Sequence, residues 1–178
     1  MTPLPVPALA NILVAHEITA RGGETEYVST RAAWQDLPAD LRAKAKSAVL
    51  RHRFSHSRRK VSAELARQET YTKWPDQGWK AVWRNPATGA DALYIASHAF
   101  AVDGWPEAEG RDFIDALIAF ATRPEAIYRH TWRVGDVLIW DERATLHRGR
   151  PWPYAEPRTL ASICISARAV DGLDGVRP

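Results

Sequence analysis

Short apolar runs of strand length, separated by turn material, open the chain. Residues 11–18 (NILVAHEI) and 24–29 (ETEYVS) are two such runs. Arg21-Gly22-Gly23 between them is turn material, because glycine tolerates positive φ. Ser29 or Thr30 is placed to cap a helix, and Pro38 suits the first turn of a second one. In that second helix Leu41, Ala45, Ala48 and Val49 fall on one face. From residue 54 to 78 the periodicity is weak and polar residues abound. That stretch predicts an ordered excursion or lid containing some helix.

Residues 79–84 and 92–97 read as strands flanking the turn Asn85-Pro86-Ala87-Thr88-Gly89. Pro106 opens a helix in which Phe113, Leu117 and Phe120 recur at spacings of four and three, widened by Ile114 and Ile118. Residues 127–133 alternate, Val134-Gly135-Asp136 turns, and 137–140 is an apolar strand of the buried type. Residues 159–166 (TLASICIS) form a last strand. Several strands with two to four helices and no βαβ alternation predict a sheet sandwich or barrel carrying peripheral helices. No Gly/Ser- or Pro-rich linker divides the chain, so one domain is expected.

Composition narrows the class. The 178 residues suit one domain, and 46% hydrophobic with 25% charged residues is a globular balance that argues against wholesale disorder. No apolar run approaches the roughly 20 residues of a membrane helix. Residues 1–10 lack a basic n-region and a long apolar h-region, so no secretory signal is read there. A cytoplasmic, soluble protein without membrane partners is the expectation. Cys164 is the one cysteine, which excludes an internal disulfide and multi-cysteine metal sites. Eight tryptophans without a fixed period suit a β-rich fold with large inward side chains.

The formal charge of +3 is small, and its densest patch is residues 51–60 (RHRFSHSRRK). Such a run either tracks phosphates or forms a solvated helix end and loop. No nucleic-acid motif surrounds it, so no nucleic-acid partner is expected.

The chemistry concentrates between residues 132 and 158. There a turn and a strand lead into a polar segment ending on His147, and Arg158 heads another strand eleven residues later. A neutral imidazole is a good iron ligand, and a guanidinium fork matches a carboxylate with two parallel hydrogen bonds. By itself the spacing leaves His147 open to a structural role as well as to metal binding. His130, in an alternating strand beside Trp132, reads as packing, and Cys164 as a small buried hydrophobe. Asp136 reads as a turn former, and Asp141 as orienting the segment that leads to His147.

Gly22-Gly23-Glu24-Thr25, the helix beginning Thr30-Arg31-Ala32-Ala33-Trp34, and Leu37-Pro38 resemble the taurine/2,4-dichlorophenoxyacetate dioxygenase family. Asn85-Pro86-Ala87-Thr88-Gly89 with Leu93-Tyr94, Trp132-Arg133-Val134-Gly135-Asp136, Trp140-Asp141, His147 and Arg158 continue the resemblance in order, over about residues 5–165. It implies a mainly β fold with peripheral helices, a double-stranded β-helix (jelly roll), as a single domain over residues 1–178 that is incomplete at its N-terminal end. It also implies an Fe(II)- and 2-oxoglutarate-dependent oxygenase that hydroxylates a small organic molecule. By the same resemblance His147 is an iron ligand, and Arg158 and Thr25 hold the far carboxylate of 2-oxoglutarate. Trp140 lines the site near the metal.

Two departures qualify this. The family's iron site is a 2-His-1-carboxylate triad with a His-x-Asp pair on an early strand. None of His16, His52, His56, His98, His130 and His147 is followed at the second position by Asp or Glu. His16 and Glu17 are adjacent, so on a strand they point to opposite faces. The family pair is expected at or just before Met1, which makes the chain a fragment, nearly inactive as isolated. The second departure is Ser162, where several members carry an arginine for the substrate's anionic group. A hydroxyl does not replace a charged contact typically worth about 1.5–3 kcal/mol. Glu142 likewise stands where Asn is common.

The alternative expectation is a non-catalytic, degenerate oxygenase that binds a small dicarboxylate in the Thr25/Arg158 pocket. A jelly roll short of an early strand is also expected to expose sheet edges and apolar interior, which invites a homo-oligomer.

Overall fold

A computed structural model describes residues 4–178; Met1, on which the expected placement of a His-x-Asp pair turns, lies outside them. Strand β1 (Ala8–Glu17) and strand β2 (Thr25–Ser29) bracket the glycine turn. Helix α1 (Thr30–Asp36) is capped by the Ser29 hydroxyl, which accepts from the Ala32 N–H. Helix α2 (Ala39–Ser47) starts behind Pro38. Next come β3 (Val49–His52), the short helices α3 (Phe54–Arg59) and α4 (Glu69–Thr72), and β4 (Gln77–Lys80). Strands β5 (Val82–Arg84), β6 (Asp91–Leu93) and β7 (Ala99–Val102) lead to helix α5 (Glu107–Ala121). Strands β8 (Tyr128–His130), β9 (Val137–Asp141), β10 (Thr145–Gly149) and β11 (Thr159–Ser166) and helix α6 (Leu173–Val176) complete the order.

The strands pair antiparallel. One sheet runs β11-β1-β9 and a second runs β10-β2-β8, so β11 and β10 each stand at an outer edge. A third sheet, β4-β3-β7, and the hairpin β5-β6 belong to the middle of the chain. The expected strand over 79–84 is thus divided between β4 and β5, because Ala81 bonds to Ala48 and Tyr94 rather than to a ladder. The stretch 54–78 is an ordered excursion with short helices, as its composition suggested.

The larger apolar cluster sits in this middle region. Trp34 and Leu37 pack with Leu50, Leu93 and Ile95, and the α5 stripe of Phe113, Ile114 and Leu117 closes the cluster. A second cluster gathers Trp79, Trp83 and Tyr94 against Leu173 and Val176 of α6. No helix among the described residues is long and apolar enough to cross a membrane.

Two sequence expectations need correction. Residues 137–140 are not a buried apolar strand: Val137 and Ile139 are exposed, and Trp140 alone among them is buried. Ile12 lies opposite both Ile139 and Ile163, which places all three on one sheet face, and no described layer covers that face enough to bury them. Cys164 is exposed for a related reason: edge strand β11 has a neighbour on one side only.

In the β10-β2-β8 sheet, Glu26 lies directly opposite Arg148 on one side and Arg129 on the other. Its carboxylate is 2.6 Å from Arg148 and 2.8 Å from Arg129, with Arg150 at 3.8 Å. The hydrogen bond from Arg148, helped by Arg129, holds the Glu26 carboxyl below the usual carboxylate range although burial pushes the other way.

Leu117 is fully buried, so Leu117→Ala should lower stability by about 2–5 kcal/mol in chemical denaturation. The depressed Glu26 carboxyl stabilises fully above its unfolded value of about 4.3, and that contribution is lost as pH falls through the folded value. Glu26→Gln should therefore cost about 1–2 kcal/mol at pH 7, since its arginine partners are half-exposed. The difference from wild type should shrink in urea melts taken well below pH 4; a constant difference would contradict this assignment.

Candidate functional site

The β11-β1-β9 and β10-β2-β8 sheets come into contact around Trp140. Its ring lies 5.1 Å from Tyr27, edge-on, and 4.8 Å from His147. His147 is opposite Tyr27 in the β10–β2 pairing, so both point to the same face. Thr25 shares that face, being two residues along the strand. The Trp140 indole N–H donates to Glu142 Oε1 at 3.0 Å, and the same oxygen stands 3.8 Å from His147 Nδ1. Glu142 is 3% exposed, which makes it a buried carboxylate facing an imidazole. Burial lowers the His147 pKa against the opposing pull of Glu142, favouring the neutral ring that a metal requires.

Thr25 is buried, and its hydroxyl accepts from the Trp132 indole N–H at 3.0 Å. Arg158 donates through Nη2 to the Gly23 carbonyl at 2.7 Å and stacks on Trp152 at 4.8 Å. Gly22 and Gly23 both have φ of +73°. A side chain at Gly23 would meet Arg158 Nε at 2.8 Å, and one at Gly22 the Pro151 carbonyl at 2.7 Å. The glycine turn is therefore what lets the arginine just before β11 approach the start of β2. Ser162 donates to Asn11 Oδ1 at 3.0 Å, so its hydroxyl is already used.

A cavity of about 510 Å³ is lined by His147, Glu142, Asn11, Phe54, Arg58 and His98, among others. Thr25, Trp140 and Arg158 are not among its lining residues. The structure thus brings His147 together with Trp140, and places Thr25 and Arg158 beside the glycine turn. His98 and Arg58 are cavity residues that the sequence did not single out individually. Burial pushes the His98 imidazole down to about 3, so it is neutral at ordinary pH. His130 and Asp136 hold each other at 3.0 Å, and Asp136 also accepts from the Arg133 N–H, as a turn former does. Asp141 accepts from the Arg143 backbone N–H and from its side-chain Nε and Nη2, which orients the segment before His147. His16 and Glu17 are both exposed.

A resident iron would need three donors. Among the described residues no group of three or more His, Cys, Asp or Glu side chains is placed to hold a metal ion. His147 with Glu142 is a pair, so the residues present do not by themselves fit the metal.

An α-ketoglutarate-dependent 2,4-dichlorophenoxyacetate dioxygenase of Burkholderia sp. is 34% identical over 150 residues, covering 84% of this chain and 50% of that protein. An (S)-phenoxypropionate/α-ketoglutarate-dioxygenase of Sphingobium herbicidovorans is 32% identical over 165 residues, covering 89% and 58%. Among solved structures, AAD-2 in complex with Mn(II) and N-oxalylglycine superposes with a TM-score of 0.84 at 29% identity, over 91% of this chain and 64% of that one. A taurine dioxygenase from Burkholderia xenovorans gives 0.80 at 26% identity, over 94% and 55%. The chain spans between half and three-fifths of the length of these two sequence relatives. The mainly β architecture with helices is the one these enzymes share. The family model described as taurine catabolism dioxygenase TauD, TfdA family matches residues 1–164, and the chain belongs to that family.

Proposed function

We propose that this chain is most of the core of an Fe(II)- and 2-oxoglutarate-dependent dioxygenase that hydroxylates a small organic molecule. The observation that carries the reading is His147, whose ring packs on Trp140 where the β11-β1-β9 and β10-β2-β8 sheets meet and lines the 510 Å³ cavity. In this reading the sheets β11-β1-β9 and β10-β2-β8 are the two walls of a double-stranded β-helix, a single domain over residues 1–178.

Placement supports a role for each residue in this reading. Arg158, fixed by the Gly23 carbonyl and the Trp152 ring, presents its remaining guanidinium N–H groups to the far carboxylate of 2-oxoglutarate. Thr25, held by Trp132, adds a hydroxyl to the same carboxylate. His147 would offer iron one imidazole nitrogen, with Glu142 facing the ring at Nδ1 and the Trp140 ring packed beside it. The described residues supply one imidazole and not the three donors of a complete site, so this chain's own contribution is to bind and orient the co-substrate and substrate. The same incompleteness favours a second reading, in which the chain is a non-catalytic pocket for a small dicarboxylate.

Calorimetry with 2-oxoglutarate, with and without Mn(II), tests both. Binding is expected, with Arg158→Gln weakening it about 10- to 100-fold. Tightening by Mn(II) that is lost in His147→Ala supports the oxygenase reading, and binding indifferent to Mn(II) supports the dicarboxylate pocket. No binding of 2-oxoglutarate under either condition overturns both.

A further inference from the structure

The basic run of residues 51–60 does not form one surface. Arg51 turns to Asp103 at 3.7 Å, Arg53 to Asp76 at 2.7 Å, and His56 bonds to Arg111 at 3.0 Å. Arg58 goes another way: from the last turn of α3 it lines the cavity that holds His147. Its guanidinium stacks over Phe54 and over Tyr71, each at 5.3 Å, which fixes the plane of the fork. Its Nε–H is buried without a hydrogen-bond acceptor, and no described carboxylate forms an ion pair with it.

The other charged groups lining the cavity are engaged. Arg148 is bound to Glu26 at 2.6 Å, and Glu142 accepts from Trp140 and faces His147. Ser162 on β11 has its hydroxyl bonded to Asn11. The rest of the lining includes Ile118, Ile127 and Leu146, an apolar wall. A guanidinium fixed by two aromatic rings, its Nε–H buried without an acceptor, in a cavity that has an apolar wall, matches an oxyanion attached to an apolar body.

We propose that Arg58 receives the anionic group of the substrate, a small organic oxyanion with an apolar body, which is thereby held from the α3 side of the cavity rather than from β11. The proposal rests on the oxygenase-pocket reading above for calling that ligand the substrate; the binding site itself stands on the cavity.

Phenylacetate and its uncharged analogue phenylacetamide, titrated separately into the 178-residue chain, test it. Phenylacetate should bind more tightly than phenylacetamide. Arg58→Gln should weaken phenylacetate about 10- to 100-fold and leave phenylacetamide within about twofold. Binding of 2-oxoglutarate, assigned to Arg158, should be unchanged in that variant, so failure of the co-substrate reading and failure of this one give different results. If Arg58→Gln does not fold, the Arg58 Nε–H resonance of the wild-type chain, identified by its absence in Arg58→Lys, should shift on adding phenylacetate. Equal phenylacetate affinity with and without Arg58, no discrimination between acid and amide, no detectable phenylacetate binding, or an unmoved Nε–H resonance would each overturn the proposal.

Discussion

The β11-β1-β9 and β10-β2-β8 sheets are joined through the indole of Trp140, which packs its ring against Tyr27 and His147 and donates its N–H to Glu142. A tryptophan suits that position because it is at once a large apolar filler and a single directed donor. Without the indole, the buried Glu142 carboxylate would lose one of its donors, and a hydrogen bond lost to a buried charged group costs more than an ordinary surface contact contributes. The position of Glu142 in turn sets what His147 Nδ1 faces. Inter-sheet packing, carboxylate orientation and imidazole environment are thus one coupled arrangement, and a substitution at residue 140 acts on all three.

Stability and chemistry are supplied by different parts of the chain. The fully buried apolar side chains Leu50, Leu93, Ile95, Ile114 and Leu117 cluster under the helices of the middle region. The sheets that carry His147 and Arg158 are packed on the Trp140 side, while Val137, Ile139, Ile163 and Ile165 remain open to solvent on the other. A sheet face of this composition is normally covered, so the apolar surface expected from the sequence reading is present, at a location that periodicity alone did not give.

The legible part of the sequence was the part dominated by local chemistry. The helix with Phe113, Leu117 and their neighbours was read from its period, and α1 from the Ser29 cap. The turn roles of Asp136 and Gly22-Gly23 followed from the demands of the backbone. Strand β10 was hidden, because Thr145–Gly149 has no apolar alternation and is specified by pairing with β2. Burial at Val137, Ile139 and Cys164 was misjudged for a tertiary reason: an apolar side chain is buried only if another layer lies over it. Arg58 was concealed inside a basic run whose members diverge only once α3 and its aromatic neighbours are in place. His147, Trp140, Thr25 and Arg158 are candidates that motif order suggests, whereas the His147–Glu142 approach depends on how the chain bends after β9.

The glycine turn carries a consequence for how this region can vary over evolutionary time. With φ of +73° at both residues, and with the Pro151 carbonyl and the Arg158 side chain inside contact distance of any added Cβ, positions 22 and 23 have almost no sequence freedom while Arg158 keeps its present pose. Drift at either glycine would first require the loop around residue 151 to retreat or the arginine to be given up. The three segments are expected to change together or not at all, and a lineage that has lost the arginine should be the one in which the glycine pair is free to diversify.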